Sequence, residues 1–373
     1  MLKLSQPNIS DAAITAVANV LRSGQLVHGE ESETFERELA AYLGCREVIL
    51  VSSGTAALHV ALLALDIGTG DAVIVPDFTF PATANVVAMT GARIVIADVV
   101  PGTYTLDVAQ LKNIAESWQG PERLRAVMPV HEFGCVANMK EISQIAKIHD
   151  LAVIEDAACA LGASLDGRKA GTLGDIGCFS FHPRKTLTTG EGGAIATNNR
   201  ELAARIRRLR NHGMERSEQG IRFLEPATNY RLTNFQAALG RVQLPLLDNW
   251  IQLRHDLVKS YLKALTPLVE KKWLRCPLGN DGHSWQTFMV VLDESFNRNE
   301  IIAKLREQGI ETNLGAQSLT SIGIYGKSQI NLIFGPLLYT QGLALPLFER
   351  MAQSDVTHVT TALTKTLFDL NKK

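Results

Sequence analysis

The chain has 373 residues, of which 46% are hydrophobic and 20% are charged, so a wholly disordered protein is excluded and about two domains are expected. Its 37 basic and 38 acidic residues give a formal net charge of -1, which argues against a dedicated nucleic-acid-binding protein. The sequence also has widely spaced cysteines without a CxxC pair, no signal-peptide core at the N-terminus and no apolar run long enough to cross a membrane. Together these features predict a cytoplasmic protein.

In the first two-thirds of the chain, short apolar runs alternate with helical patterns. The runs predict strands at residues 47–51, 72–75, 93–96, 126–130 and 151–155, and the helical patterns predict helices at residues 55–65, 106–118 and 139–149. Because the runs show no alternation of polar and apolar residues, we expect strands that are covered on both faces. This order of elements predicts an α/β domain with a mostly parallel sheet over residues 1–250.

The last third of the chain gives sparser signals. Thr233 and Gln236 have the spacing of a capping box, which predicts a helix that runs on towards Leu262 with a break or kink at Pro245. A strand is predicted at residues 286–292, followed by helices at residues 299–308 and 354–370. These elements predict a smaller α+β domain over residues 251–373.

The segment SSGTAA at residues 52–57 follows a predicted strand and opens a predicted helix. The first N–H groups of a helix and the positive end of its dipole favour a bound phosphate. Gly54 permits a close approach of the backbone, and Thr55 adds a hydroxyl donor. The segment therefore predicts a phosphate site, with a turn that only packs against its neighbours as the alternative.

Asp156 stands at the carboxyl end of a predicted buried strand, where open α/β sheets bind their ligands. A buried carboxylate is costly unless it has a cationic partner. We therefore interpret Asp156 as a carboxylate that pairs with the protonated ring nitrogen of a cofactor. A helix N-cap is the alternative interpretation of this residue.

Lys185 is the single lysine in a stretch that is rich in glycine, threonine, serine and aromatic residues. A lysine held in such surroundings can have a lowered pKa and act as an amine nucleophile. An exposed loop lysine is the alternative. Ser180 precedes Lys185 by one short turn and Asp156 ends the previous predicted strand, so the three residues form a constellation and not isolated motifs.

The ordered set of motifs is similar to one known family across nearly the whole chain. In chain order, the motifs are SSGTAAL, GDAVIVPDFTFPATANVV, PVHEFGC, IEDAA, GCFSFHPRK, TGEGGAI, NHG, NYRLTNFQAALGRVQL and LPL. They resemble the DegT/StrS-type sugar aminotransferases, which are fold-type I enzymes that depend on pyridoxal phosphate. The resemblance implies a large cofactor-binding domain with a mostly parallel sheet and a smaller C-terminal α+β domain.

The resemblance also implies roles for residues at matching positions. Lys185 matches the lysine that bonds covalently to pyridoxal 5'-phosphate and then shuttles a proton, and Asp156 matches the carboxylate beside the ring nitrogen. Phe80 matches the aromatic residue that stacks on the ring. The residues implied to hold the phosphate are Gly54, Thr55, Ala56 and Ser180.

Three further positions concern the substrates and the partner subunit. Asn229 matches a residue that reaches the phosphate from the neighbouring subunit, which implies a homodimer with shared active sites. Arg231 is a candidate for binding the carboxylate of the amino donor, and His182 is a candidate for the border of the sugar site. No metal site is expected, because neither His131 nor His182 has a second ligand at metal spacing.

Two parts of the chain depart from the family pattern. Cys159 stands where the family usually has Gln or His, and a thiol is a weaker hydrogen-bond partner for the hydroxyl of the cofactor ring. Residues 309–319 (GIETNLGAQSL) open like a family segment but lack its His–Tyr pair. We therefore expect substrate contacts near residues 313–320 to differ from those of commoner members.

The resemblance implies transfer of an amino group from glutamate to a keto carbon of a nucleotide-linked deoxy-sugar. Transfer to a cyclitol ketone stays open as an alternative, as does, more remotely, a regulatory or sensor protein. Relatives that dehydrate sugars carry His in place of the lysine, so Lys185 argues against dehydration. The intact set of Lys185, Asp156 and Ser180 argues against a purely regulatory role.

Overall fold

The computed structural model describes residues 1–218, 220–325 and 331–372. The α-helices are α1 (Asp11–Ser23), α2 (Glu30–Leu43), α3 (Gly54–Ala64), α4 (Ala82–Met89), α5 (Val108–Ser117), α6 (Met139–Ile148), α7 (Arg200–Leu209), α8 (Asn234–Gln243), α9 (Leu247–Glu270), α10 (Arg298–Glu307), α11 (Leu319–Ile322), α12 (Phe334–Gln341) and α13 (Gln353–Asn371). The strands are β1 (Glu47–Val51), β2 (Asp71–Pro76), β3 (Phe78–Thr79), β4 (Arg93–Ala97), β5 (Arg123–Val127), β6 (Ala152–Asp156), β7 (Ser164–Leu165), β8 (Arg168–Lys169), β9 (Ile176–Ser180), β10 (Gly193–Thr197), β11 (Met214–Ser217), β12 (Gly220–Phe223), β13 (Leu274–Arg275), β14 (Phe288–Leu292), β15 (Gln317–Ser318) and β16 (Gly342–Leu345). Short 3-10 helices cover Glu132–Gly134 and Leu244–Leu246.

A seven-stranded sheet forms the centre of the first two-thirds of the chain, in the order β1-β10-β9-β6-β5-β2-β4. The pairs β9–β6, β6–β5, β5–β2 and β2–β4 are parallel, whereas β10 runs antiparallel to both β1 and β9. All strands of this sheet except β10 therefore have their carboxyl ends at the same edge. The predicted α/β fold with a mostly parallel sheet is confirmed.

Two strands of this sheet, β9 and β10, were not predicted from the sequence. Their sequences, IGCFS and GAIAT, are rich in small residues, which give a weak strand signal. Larger side chains do not fit at two of these positions. A Cβ on Gly193 would lie 2.5 Å from the carbonyl oxygen of Ser53, and a Cβ on Gly177 would collide with the backbone of Gly171. Close packing against neighbouring backbone, and not side-chain propensity, decides that these segments are strands.

Successive residues of the central strands enter two different hydrophobic cores. Val48 and Leu50 of β1 belong to one core, whereas Ile49 and Val51 belong to the other. The first core also holds residues of α2, α5 and α6, and the second holds residues of α3, α4 and α7. Helices thus cover both faces of the sheet, which explains why its strands are continuous apolar runs in the sequence.

The last third of the chain is built around the antiparallel sheet β13-β14-β16. Residues of α9, α10 and α13 form one hydrophobic core with this sheet. The N–H of Thr233 donates to Oε1 of Gln236 over 3.2 Å and α8 begins at the next residue, which confirms the predicted capping pair. Pro245 lies in the 3-10 helix between α8 and α9, so the predicted break is also confirmed.

The helix that follows this break is longer than predicted. α9 continues past Leu262 to Glu270 and contains Pro267. The predicted domain limit at residue 250 falls inside α9 and stays a prediction. Residues 326–330 and 373 of the predicted second domain lie outside the described residues.

A short two-stranded sheet joins the C-terminal third to the central sheet domain. β15 pairs antiparallel with β3, with Gln317 opposite Thr79 and Ser318 opposite Phe78. The segment near residues 313–320, which departs from the family pattern, therefore lies next to Phe80. Within residues 1–218, 220–325 and 331–372, no helix combines the length and the apolar character that a membrane span requires.

Candidate active site

Several predicted site residues follow the carboxyl ends of neighbouring strands. β1 ends at Val51 just before α3, β6 ends at Asp156, and β9 ends at Ser180. Cys159 and Lys185 lie in the turns that follow β6 and β9. Because these strands are parallel to one another, the residues meet at one edge of the sheet, where open α/β proteins bind their ligands.

The N-terminus of α3 packs closely against the end of β9. Ser53 caps the helix, since its Oγ accepts the N–H of Ala56 over 3.0 Å. A Cβ added to Gly54 would lie 2.8 Å from the Cβ of Ser180, so only glycine allows this approach. The first N–H groups of the helix, including that of the exposed Thr55, have no partner inside the helix. Together with the Ser180 hydroxyl they form a cradle that suits a phosphate.

Asp156 is a buried carboxylate with 4% of its surface exposed. Its Oδ1 accepts the N–H of Ala158 over 3.1 Å, and its Oδ2 accepts the O–H of Thr83 over 2.9 Å. Burial raises the pKa of Asp156, and the two hydrogen bonds and the charge of Lys185 partly oppose this shift. The residues after Asp156 form a turn that leads to β7, so the helix N-cap interpretation is wrong.

Lys185 and Cys159 are in direct contact, because the Nζ of Lys185 donates to the Sγ of Cys159 over 2.9 Å. Burial acts to lower the pKa of Lys185, but Cys159 and the carboxylates of Glu132 and Asp156 outweigh it, and the pKa is raised. The lowered pKa considered from the sequence is therefore wrong, since the acidic groups around the amine stabilise its protonated form. Lys185 is also not an exposed loop lysine.

Phe80 borders this group of residues from the loop between β3 and α4. Its side chain is 71% exposed, and its carbonyl oxygen lies 3.2 Å from the Oγ1 of Thr83. Thr83 also hydrogen-bonds Asp156, so this one residue links Phe80 to the buried carboxylate. An exposed ring in this place suits stacking on a flat ligand.

Asn229 and Arg231 lie in the segment between β12 and α8. Asn229 is exposed, and its backbone forms a β-bridge with Asn211. The carbonyl of Tyr230 accepts the N–H of Ser52 over 2.8 Å, so this segment runs beside the chain that leads into α3. The guanidinium of Arg231 donates to Oδ1 of Asn211. The structure therefore places the backbone of this segment beside Ser52 and engages Arg231 with a neighbour in the same chain.

His182 shapes the turn that presents Lys185. Its Nδ1 accepts the N–H of Arg184 over 3.2 Å, and its carbonyl accepts the N–H of Lys185 over 2.8 Å. His182 is half-buried, and burial lowers its pKa. The neutral ring is thus part of the local turn that leads to Lys185.

His131 forms a fully buried pair with Glu155 behind the site, with 2.7 Å between Nε2 and Oε2. The Nδ1 of His131 accepts the N–H of Ala137 over 3.2 Å, so Nε2 carries the proton and donates to the carboxylate. Glu155 also accepts hydrogen bonds from the backbone N–H groups of residues 171, 173 and 174. The pair fixes the end of β6 and is structural.

Two side chains at this edge of the sheet were missed in the sequence. Thr83 lies in the motif FPATANVV, where nothing distinguishes it from the other small residues. Glu132 has 3% of its surface exposed and follows His131. The signal that could have found Glu132 is an acidic residue inside the otherwise apolar run AVMPVHEFGCVA. A buried charge in such a run is costly and is therefore a candidate for function.

Comparisons with known proteins agree with this geometry. Residues 7–364 match the model of the DegT/DnrJ/EryC1/StrS aminotransferase family. GDP-perosamine synthase of Caulobacter vibrioides is 37% identical over 338 residues, which cover 89% of each chain. The crystal structure of a DegT DnrJ EryC1 StrS aminotransferase from Brucella abortus has a TM-score of 0.88 at 31% identity over 95% of each chain. The pyridoxal-phosphate form of Spr1654 from Streptococcus pneumoniae has a TM-score of 0.90 at 26% identity over 99% of each chain.

The residues at the sheet edge fit pyridoxal phosphate. The cradle that a Cβ on Gly54 would fill suits the phosphate, the buried carboxylate of Asp156 suits a protonated ring nitrogen, and the amine of Lys185 suits the aldehyde. The family match covers nearly the whole chain, and the sheet has the topology of fold-type I enzymes. The chain therefore belongs to the DegT/DnrJ/EryC1/StrS family of pyridoxal-phosphate-dependent aminotransferases.

Proposed function

We propose that this protein transfers an amino group from glutamate to a keto carbon of a nucleotide-linked deoxy-sugar. The observation that carries the proposal is the meeting of Lys185, Asp156 and the Gly54–Ser180 contact at one edge of the sheet. The 37% identity to GDP-perosamine synthase supports a nucleotide-linked sugar as the acceptor.

Lys185 and Asp156 carry the chemistry in this proposal. Bound pyridoxal phosphate supplies an electron sink and a carrier for the amino group. Lys185 would hold the cofactor through its amine, and the same amine would move a proton to and from the substrate carbon. Asp156, held by Thr83 and Ala158, keeps the ring nitrogen protonated through its negative charge.

The remaining cofactor contacts follow from the geometry of the site. The N–H groups of Gly54 and Thr55 at the start of α3 bind the phosphate beside Ala56, whose own N–H is taken by Ser53, and the hydroxyl of Ser180 adds a donor. The exposed ring of Phe80 stacks on the face of the pyridine ring. Cys159 lies beside the bond that Lys185 forms, because the two side chains touch.

We also propose a homodimer with shared active sites. In this arrangement Asn229, which is exposed, reaches the phosphate of the partner subunit. Arg231 meets the carboxylate of the amino donor, and His182 borders the sugar site. A cytoplasmic location is proposed with it, and the five free cysteines support a reducing compartment.

Borohydride reduction tests the role of Lys185. Reduction of the protein loaded with pyridoxal phosphate should attach the cofactor to the peptide that contains Lys185, which peptide mass spectrometry detects. Lys185→Ala should lose both the visible band and the attached mass, because no other amine replaces the nucleophile at this position. Lys140→Ala, which removes an exposed lysine on α6, is the matched control and should behave like the wild type. A reducible adduct that persists in Lys185→Ala contradicts the assignment.

A panel of acceptors tests the substrate class. Wild-type protein, with glutamate as donor, is offered 3-keto and 4-keto sugars linked to UDP, dTDP or GDP, and an inosose as a cyclitol ketone. We expect turnover with at least one nucleotide-linked keto-sugar. Turnover of the inosose without turnover of any keto-sugar overturns the proposed acceptor and favours the cyclitol alternative.

A further inference from the structure

Glu132 is a largely buried acidic residue whose carboxyl oxygens have no hydrogen-bond partner among the residues that the structure describes. It has 3% of its surface exposed, and no group in residues 1–218, 220–325 and 331–372 hydrogen-bonds its carboxyl oxygens. The carboxyl oxygens are not among the fully buried polar atoms without a partner, so they retain some access to solvent. A carboxyl on a largely buried side chain that is left open in this way is expected to find its partner in a ligand.

The backbone holds Glu132 firmly in this position. Glu132 starts the 3-10 helix Glu132–Gly134, and the next residue, Phe133, has a positive φ of 55°, which few residues other than glycine adopt. The carbonyl of Phe133 accepts the N–H of Gln286 over 2.9 Å, and the carbonyl of Gly134 accepts the N–H of Ser284 over 3.1 Å. The backbone of this turn is therefore fixed from the C-terminal third of the chain.

The ionisable groups of the candidate site surround this carboxyl. Burial raises the pKa of Glu132 to about 8. The positive charge of Lys185 opposes this rise, and the negative charge of Asp156 adds to it. Only when Glu132 is ionised does its charge also raise the pKa of Lys185 and Cys159, after burial and the contact between those two residues. The carboxylate of Glu155 is already hydrogen-bonded to His131. Near neutral pH the Glu132 carboxyl is thus protonated and has a hydrogen to donate.

The strand order places Glu132 on the β5 side of the site. Ser180 ends β9, Asp156 ends β6, and Glu132 follows β5 after a short loop, in the spatial order β9-β6-β5. In pyridoxal phosphate the ring nitrogen and the aldehyde carbon lie at opposite ends of one axis, with the phosphate arm on one side and the hydroxyl on the other. With the nitrogen at Asp156 and the phosphate in the cradle beside Ser180, the hydroxyl faces the β5 side.

We propose that Glu132 donates a hydrogen bond from its protonated carboxyl to the hydroxyl oxygen of bound pyridoxal phosphate. This contact replaces the one that the thiol of Cys159 can make only weakly. The inference rests on the proposed function, because it uses the cofactor orientation that Asp156 and the phosphate cradle define. It adds Glu132 to the residues that touch the cofactor.

Glu132→Leu tests the contact by equilibrium binding. Protein stripped of cofactor is titrated with pyridoxal phosphate, and binding is followed by the visible band. Loss of one hydrogen bond should weaken binding about tenfold. The thermal midpoint of the stripped variant should not fall, because leucine removes an unpaired buried carboxyl from an apolar turn. A purely structural role for Glu132 predicts the opposite, a lower midpoint with unchanged cofactor affinity.

Glu132→Gln keeps a hydrogen-bond donor at this position but removes the proton that titrates. Its amide N–H can still donate, so affinity should stay within about threefold of wild type. The wild-type band should change as Glu132 loses its proton at alkaline pH, and the Glu132→Gln band should not show this change. Glu141→Gln, an exposed carboxyl on α6, is the matched control and should titrate like the wild type.

The outcomes distinguish this inference from the proposed function. A wild-type protein that binds no pyridoxal phosphate overturns the proposed function and the inference with it. Wild-type binding together with unchanged affinity and band in Glu132→Leu overturns only the inference, as does a Glu132→Gln band that titrates like the wild type. Unchanged cofactor binding with a raised KM for glutamate or the keto-sugar also overturns it, because the carboxyl then contacts a substrate.

Discussion

At the scale of single residues, Thr83 links the aromatic loop to the buried carboxylate of the site. Its hydroxyl contacts Oδ2 of Asp156 and Oγ1 of Thr79, each over 2.9 Å. An ionised carboxylate only accepts, so Thr83 donates to Asp156 and Thr79 donates to Thr83. This hydrogen bond opposes the rise in the Asp156 pKa that burial causes. Thr83 is therefore a positioning residue that keeps Asp156 ionised and oriented.

Thr83→Val removes this hydroxyl while keeping the shape of the side chain. The pKa of Asp156 should rise further, because the lost hydrogen bond stabilises the ionised form. Cofactor affinity, measured by equilibrium titration, should fall about tenfold, since a hydrogen bond to a charged group is lost. Thr83→Ser keeps the hydroxyl and should retain near wild-type affinity. Equal affinities for the valine and serine variants would show that Thr83 only packs.

At the scale of elements, two aspartates hold parts of the C-terminal third on the central sheet. Asp77, which follows β2, accepts the O–H of Ser318 over 2.6 Å and the N–H of Thr320 over 2.8 Å. Asp98, which follows β4, accepts the N–H groups of residues 333, 334 and 335 over 2.6, 2.9 and 2.8 Å. Asp98 thus caps α12 from another part of the chain. The two contacts set the position of β15 beside Phe80.

Asp98→Ala should uncap α12 and loosen this attachment. We expect a loss of about 2 kcal/mol in the free energy of unfolding, because a buried cap with several N–H partners is removed. Urea unfolding measures the loss, and hydrogen exchange should show lower protection in α12. Asp107→Ala removes the cap of α5, where Oδ1 accepts the N–H of Ala109, and is the matched control. If α12 exchanges equally slowly in both variants, Asp98 does not hold it.

At the scale of the whole molecule, the hairpin of β11 and β12 exposes large apolar side chains to solvent, which is unfavourable in a monomer. Ile221 and Phe223 on β12 and Leu224 just after it are 53%, 70% and 52% exposed. Exposed apolar groups of this kind favour a protein interface. Asn229 follows the same hairpin, so an interface formed there brings Asn229 towards a partner subunit. This arrangement supports the proposed homodimer.

Mixing two inactive variants tests whether active sites are shared. In a mixed dimer of Lys185→Ala and Asn229→Ala subunits, one site has an intact Lys185 and receives an intact Asn229 from the partner. If Asn229 acts across the interface, an equal mixture should regain about a quarter of the wild-type half-reaction with glutamate. Each variant alone and the unmixed sum of both are the controls. If subunit exchange is verified and the mixture still regains no half-reaction, Asn229 acts within its own chain.

Much of the fold and part of the candidate site could be predicted from the sequence. Apolar runs such as EVILV specify strands because both of their faces are buried, and the Thr233–Gln236 pair marks a helix start because capping is local chemistry. The small-residue strands β9 and β10 escaped prediction. They exist because Gly177 and Gly193 allow close backbone contacts, with Gly171 and with the distant Ser53 respectively, and no strand pattern in the sequence encodes such contacts.

The sequence by itself determined the family, the nearly parallel sheet and the chemical types of the candidate site residues, because motif order and local patterns carry this information. Only the tertiary structure decided what surrounds each group. It showed that the pKa of Lys185 is raised, since Cys159, Glu132 and Asp156 approach it from separate segments. It also revealed that Glu132 is largely buried and that its carboxyl has no hydrogen-bond partner in the described part of the chain, because burial and hydrogen bonding depend on distances in space that the order of residues does not contain.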